Sequence, residues 1–152
     1  MDYIIRKANI NDTKRLNELL TLLIKDEKKY DSNINEKFKV KSFYEYIIDK
    51  KDNYLLVAES SNNIIGYLYG TIINDGDTVI NKVAKIDALF IEEKYRHLGI
   101  GTSLINEFKK QVKDKVKYLE VNTFKNNKEA ISTYKNNGFK EIKSITMRLE
   151  ID

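Results

Sequence analysis

The chain contains no cysteine and no proline, and glycine is scarce, at six positions in 152. Without cysteine there is no disulfide framework, no zinc ribbon and no thiol nucleophile, which removes three function classes and is consistent with a reducing cytosol. The longest charge-free apolar stretch, Ile64 to Ile73, covers ten residues, whereas a membrane span needs about twenty. The N-terminus reads Met1-Asp2-Tyr3-Ile4-Ile5-Arg6, with no basic region ahead of an apolar core, so a soluble, unexported protein without membrane association is expected. Long blocks of one charge sign are also missing. The 27 Lys and Arg are interspersed with 23 Asp and Glu, for a net charge of +4, which argues against a nucleic-acid arm but leaves room for an anionic ligand.

At roughly 100 to 200 residues per domain, residues 1–152 form a single domain. Tyr3 to Arg6 is a short β-type run, and the turn-like Asn9-Ile10-Asn11-Asp12 precedes Leu16, Leu19, Leu20 and Leu23, whose spacing is that of an amphipathic helix with Asp12 as its N-cap. Val40, Phe43, Tyr44, Ile47 and Ile48 repeat that spacing after a charged connection, 25–39. Tyr54 to Ala58 and Ile64 to Ile73 read as two strands around a polar turn, and Val83 to Ile91 as a central strand. A helix is expected from about Thr102 to Lys113, a strand over Tyr118 to Phe124, and a last helix marked by Ala130, Ile131 and Tyr134. Asn136-Asn137-Gly138 stops that helix, and Phe139 to Ile142 with Ile145 to Leu149 resemble a closing hairpin. The order β-α-α-β-β-β-α-β-α-β-β predicts an α/β (α+β) fold with a mixed, mostly antiparallel central sheet flanked by helices.

Arg96-His97-Leu98-Gly99-Ile100-Gly101-Thr102 lies directly between the central strand and the helix that follows. A helix N-terminus offers unpaired N–H donors and partial positive charge, and glycines let a diphosphate approach the backbone closely. Two other phosphate loops fit poorly: a Walker A loop needs Lys where Thr102 stands, and the dinucleotide fingerprint needs a third Gly where Leu104 stands. On its own the loop is equally a helix capped by a tight glycine turn.

The pattern R-x-x-G-x-G at Arg96 to Gly101, followed by N-x-x-A-x-x-x-Y-x-x-x-G-F from Asn127 to Phe139, resembles the GNAT superfamily of N-acetyltransferases. The resemblance implies acetyl-coenzyme A as cosubstrate, no metal, a cytoplasmic setting and a small-molecule or peptide amine as acceptor. It also implies that the backbone of Arg96, His97, Leu98, Gly99, Ile100, Gly101 and Thr102 binds the pyrophosphate, with Lys94 and Arg96 able to add charge nearby. Leu89, Phe90 and Ile91 would offer main-chain groups to the thioester and pantetheine, Asn127 would bond the cosubstrate, and Tyr134 would face the sulfur. Each has a structural alternative: Asn127 as a helix cap, Tyr134 as core, His97 as a solvated loop residue.

An alkylamine of pKa about 10.4 is disfavoured in its neutral form at pH 7.4 by about 4 kcal/mol, so a base is needed. Asp87 on the strand before the loop and Glu120 on the adjacent strand are the candidates; Asp87 is favoured because it lies two residues from Leu89, which in a regular strand is the same face. The rival reading keeps the same ligand in a binding or sensor module without turnover, and a small basic nucleic-acid-binding domain is disfavoured by the interspersed acids. Acidic residues in the early connection, Asp26, Glu27, Asp31 and Glu36, could attract a cationic acceptor, but the Lys residues interleaved with them favour a solvated face. Either a monomer or a homodimer is compatible with the pattern, because a closing hairpin completes its own sheet or exchanges with a partner.

Overall fold

The computed structural model describes residues 1–142 and 144–151. Five strands form one sheet in the order β1 (Ile4–Lys7), β2 (Asn53–Ser60), β3 (Asn63–Ile72), β4 (Val83–Ile91), β5 (Tyr118–Val121). Neighbours are antiparallel from β1 to β4, and β4 with β5 is parallel. Helices α1 (Thr13–Glu27) and α2 (Tyr44–Ile47) cover one face, α3 (Ile100–Val112) covers the other, and α4 (Lys128–Asn136) follows β5.

Both faces of the sheet are buried, which is why its central strands are near-continuous apolar runs. On β2, Leu55 and Val57 pack toward Leu16, Leu19 and Tyr44, while Leu56 and Ala58 pack toward Leu104, Ile105 and Phe108. Gly70 is required by this second layer, because any Cβ there would fall inside the Phe108 ring.

Several expectations need correction. Asp12 precedes α1 without capping it. Its carboxylate instead accepts from Arg6 through Nη1 (2.8 Å) and Nη2 (3.0 Å) and from the Asn9 N–H (2.8 Å), in a reciprocal capping box with Asn9. The second helix is a single turn, because Val40 sits outside it with its N–H on Thr21 Oγ1, and the buried Asn17 of α1 caps the turn by accepting from the Phe43 and Tyr44 N–H groups. β5 ends at Val121, short of Phe124, and α3 starts at Ile100, ahead of Thr102. No described residue after Phe139 is in a strand, so the expected closing hairpin is not formed among the described residues; Lys143, in its expected turn, lies outside them.

Burial would raise the Asp12 pKa, but the Arg6 guanidinium and the Asn9 N–H outweigh it and hold the carboxyl below its usual value. A depressed native pKa stabilises the fold above the unfolded value and is lost as pH falls through the native one. Asp12→Asn is therefore expected to destabilise the protein by about 1 to 2 kcal/mol in urea unfolding at pH 7, with the difference from wild type fading below about pH 4.

Candidate functional site

β4 and β5 pair from Val83↔Tyr118 to Ile86↔Val121 and no further, while β4 continues to Ile91. The strands part there, and a cleft of about 350 Å³ opens between them, lined among others by Leu89, Ile91, Gly99, Gly101, Asn127 and Tyr134. Peptide orientation alternates along a strand. The Glu92 N–H donates to Ile65 of β3 (2.9 Å), so the Phe90 peptide also faces β3, and those of Leu89 and Ile91 face the cleft. The Ile91 carbonyl accepts from Arg96 Nε (2.8 Å) on that side.

At the far end of the cleft the loop turns twice through left-handed backbone, at His97 (φ 64°) and Gly99 (φ 83°), before α3 begins. Arg96 N–H is taken by Glu93 (3.2 Å), and Ser103 N–H by Gly99 (3.0 Å). Among the described residues, the N–H groups from His97 to Thr102 have no hydrogen-bond acceptor. Six consecutive free donors at a helix N-terminus form an anion cradle. A Cβ built on Gly101 would meet no protein atom within 4 Å, so the backbone is open to close approach.

The Arg96 side chain does not point into that cradle. It lies over the Phe90 ring (5.3 Å), bonds Asp26 of α1 (3.1 Å) and holds the Ile91 carbonyl, so it fastens the end of α1 to the end of β4. Lys94 stacks over Tyr95 instead of lining the cleft. His97 is exposed and lies 3.6 Å from Glu129 of α4.

Opposite the cradle, Asn127 caps α4 by accepting from the Ala130 N–H (3.1 Å), and it lines the cleft as well. The Tyr134 hydroxyl has no hydrogen-bond partner among the described residues, and burial pushes its pKa up to about 12. Tyr134 therefore stays protonated throughout the physiological range. The Gly138-Phe139 pair has a local physical cause: Phe139 N–H returns to the Tyr134 carbonyl and Gly138 N–H to Lys135 (both 3.0 Å), with Gly138 left-handed and the Tyr134 and Phe139 rings 5.5 Å apart. This is a Schellman cap, and it fixes the rotation of Tyr134 about the helix axis.

The two expected carboxylates fare differently. A bulge falls at Asp87, since Tyr69 pairs with Ala88 but Gly70 with Ile86. It reverses the alternation: Ile86 packs on the α3 side and Ala88 on the α1 side. Asp87 consequently shares the α1 and α2 side with Leu20, Phe43, Tyr44 and Tyr69, in a second cavity of about 360 Å³, while Leu89 packs on the α3 side. Asp87 and Leu89 are thus not on one face as the two-residue spacing predicted. Asp87 is exposed, accepts from Thr71 Oγ1 (2.7 Å), and borders both cavities. Glu120 is exposed beside Lys85 and does not line the cleft.

Two of the four early acids, Asp26 and Glu27, line the cleft. Glu27, at the end of α1, is half-buried, has no hydrogen-bond or ion-pair partner among the described residues, and burial raises its pKa. Of the other acids lining the cleft, Asp26 is paired with Arg96 and Asp87 accepts from Thr71, while Glu129 lies 3.6 Å from His97. Glu27 is marked in the sequence only as one of four acids able to attract a cation, a pattern that does not say which of them faces a cavity. Tyr30 and Phe124 stack across the cleft (6.0 Å, 21°).

A strand that loses its parallel neighbour and runs into a free-amide turn at a helix N-terminus defines a site for an extended, anion-tailed ligand. The sequence matches the acetyltransferase (GNAT) family over residues 17–139. The chain belongs to that family. It is 29% identical over 152 aligned residues to an N-alpha-acetyltransferase of Sulfurisphaera tokodaii, covering 93% of this chain and 83% of the relative. It is 27% identical to an uncharacterised N-acetyltransferase of Methanocaldococcus jannaschii, covering 91% of this chain and 61% of that protein. A variant of a Bacillus halodurans protein shares the fold at a TM-score of 0.85 and 20% identity, covering 97% and 99% of the two chains. An aminoglycoside N-acetyltransferase in complex with coenzyme A does so at 0.71 and 15%, covering 98% and 100%.

Proposed function

We propose that the protein transfers an acetyl group from acetyl-coenzyme A to a primary amine by direct attack in a ternary complex. The observation that carries this reading is the continuous path from the unpaired Leu89 peptide to the free N–H groups of His97 to Thr102. Those amides and the N-terminal end of α3 would hold the pyrophosphate. The pantetheine arm would lie along β4 like an added strand, using the Ile91 N–H, since the Ile91 carbonyl is held by Arg96. Asn127 Nδ2 remains available to it, because the cap uses only Oδ1.

The acceptor would enter through the second cavity, where the rings of Phe43, Tyr44 and Tyr69 surround one carboxylate, Asp87, at the junction with the cleft. Asp87 attracts the ammonium, and Glu27 takes its proton. The neutral nitrogen then attacks the thioester carbonyl carbon, the Leu89 N–H stabilises charge developing on the carbonyl oxygen, and the C–S bond breaks as Tyr134 donates its proton to sulfur. The acylated nitrogen loses its second proton through solvent to the Tyr134 phenolate, and Glu27 releases the first to solvent, which resets both groups. No acyl-enzyme is needed, and no cysteine exists to carry one.

A panel of amines offered with acetyl-coenzyme A, read by release of free thiol, tests the reaction. Transfer to at least one amine is expected; tight binding of acetyl-coenzyme A with no thiol release would favour a sensor. Tyr134→Phe is expected to lower kcat about 100-fold with the coenzyme A Kd unchanged by calorimetry. An unchanged kcat would make Tyr134 a core residue. Because the raised Glu27 pKa must be passed before the base is free, kcat/KM is expected to rise with pH through an acid limb that Glu27→Gln removes. Persistence of that limb in the variant would return the role to Asp87.

A further inference from the structure

The second cavity pairs one charge with a wall of carbon. Leu20 of α1 and the rings of Phe43, Tyr44 and Tyr69 form that wall, and the three rings meet edge to face with centroids 5.0 to 6.1 Å apart, so each holds the others in place. The ring hydroxyls are spent elsewhere: Tyr44 donates to the Tyr67 hydroxyl (2.8 Å) and Tyr69 to Asn53 Oδ1 (2.6 Å). Thr71 donates to Asp87 Oδ2 (2.7 Å), and Oδ1 of that carboxylate has no partner among the described residues. Asp87 is the one charged residue in the lining. Outside the cavity, the segment that runs into Phe43 carries Lys37, Lys39 and Lys41, all exposed, and no acid from 37 to 43.

On the basis of the acyl transfer assigned above, we propose that the acceptor is a primary amine with a single positive charge and an apolar body, of the arylalkyl or alkyl kind. Such a molecule is matched at both ends. Asp87 Oδ1 takes the ammonium, and the rings take the body as it sheds water. A second ammonium or a row of hydroxyls would lose its hydration against the rings without gaining a partner. It would also approach past three lysines, whose like charge repels it. Polyamines and aminoglycosides are therefore disfavoured, although an aminoglycoside N-acetyltransferase shares the fold. A peptide that begins with Phe or Leu presents the same ammonium beside an apolar group, so a free amine and a peptide terminus are two sources of one chemistry.

Initial rates at saturating acetyl-coenzyme A, taken with 2-phenylethylamine, a Phe-Gly-Gly peptide, spermidine and kanamycin, test this. The better of the first two is expected to exceed both polycations at least about tenfold in kcat/KM, and which of the two is faster identifies the source. Phe43→Asp replaces an exposed ring with a second carboxylate. It is expected to shift the ratio toward spermidine, with a thermal melt confirming that the variant folds; if it does not fold, the wild-type ratio decides alone. Polycations turned over as fast as the apolar amines, or a ratio unmoved in folded Phe43→Asp, would overturn the specificity and leave acetyl transfer standing. Should no amine be acetylated, saturation-transfer NMR of 2-phenylethylamine on the coenzyme A complex separates the two claims. Saturation of its ring protons that Phe43→Asp abolishes would keep the amine pocket and remove the reaction, whereas no saturation would remove both.

Discussion

Where parallel strands β4 and β5 stop pairing after Ile86 and Val121, the peptide groups of Leu89 and Ile91 are left facing a cleft instead of a neighbour. Buried backbone groups without partners are costly, and a sheet normally avoids them. The divergence persists because the two strands are held by different elements. β4 is gripped by β3 along its whole length and by Arg96 and Arg15 at its end, while β5 is tied by its short ladder and by the Tyr30–Phe124 stack. Everything else in the site is arranged around the gap. The free amides lie at one end of it, and Tyr134 and Glu27 line its walls.

The electrostatics follow the same division. At the α3 end the backbone supplies the positive character, so side-chain cations are not required there, and Arg96 is released for a structural task. At the opposite end two carboxylates differ in environment. Asp87 is exposed and hydrogen-bonded, suited to attracting a cation; Glu27 is half-buried and unpartnered, suited to accepting a proton. Tyr134, its pKa raised by burial, stays protonated beside them. A carboxylate whose pKa is raised and a phenol that stays protonated would suit the proposed amine acylation near neutrality.

Much of this was legible in the chain. The Leu16 to Leu23 spacing, the apolar runs of β2, β3 and β4, the loop from Arg96 to Thr102 and the Asn127 to Phe139 pattern are local signals, and local signals survive in a sequence. Even the Gly138-Phe139 pair resolves into a hydrogen-bonded cap. What was not legible depends on partners. The bulge that turns Asp87 away from the Leu89 face is set by register against β3, burial of Glu27 by the packing of α1 over the cleft, and Arg96's task by the position of Asp26. The strand expected over Ile145 to Leu149 has the alternating period but is not formed among the described residues, because period alone supplies no neighbour to pair with.

Ligand binding is proposed to rest on main-chain amides of β4 beyond its pairing with β5 and of the loop that follows. Titration of coenzyme A into 15N-labelled protein, followed by amide chemical shifts, tests it most directly. The largest changes should fall on Leu89, Ile91 and the amides from His97 to Thr102, with the Gly70 and Phe108 region silent. Changes confined to lysine-rich surface segments, with the loop amides unmoved at saturating coenzyme A, would contradict the account.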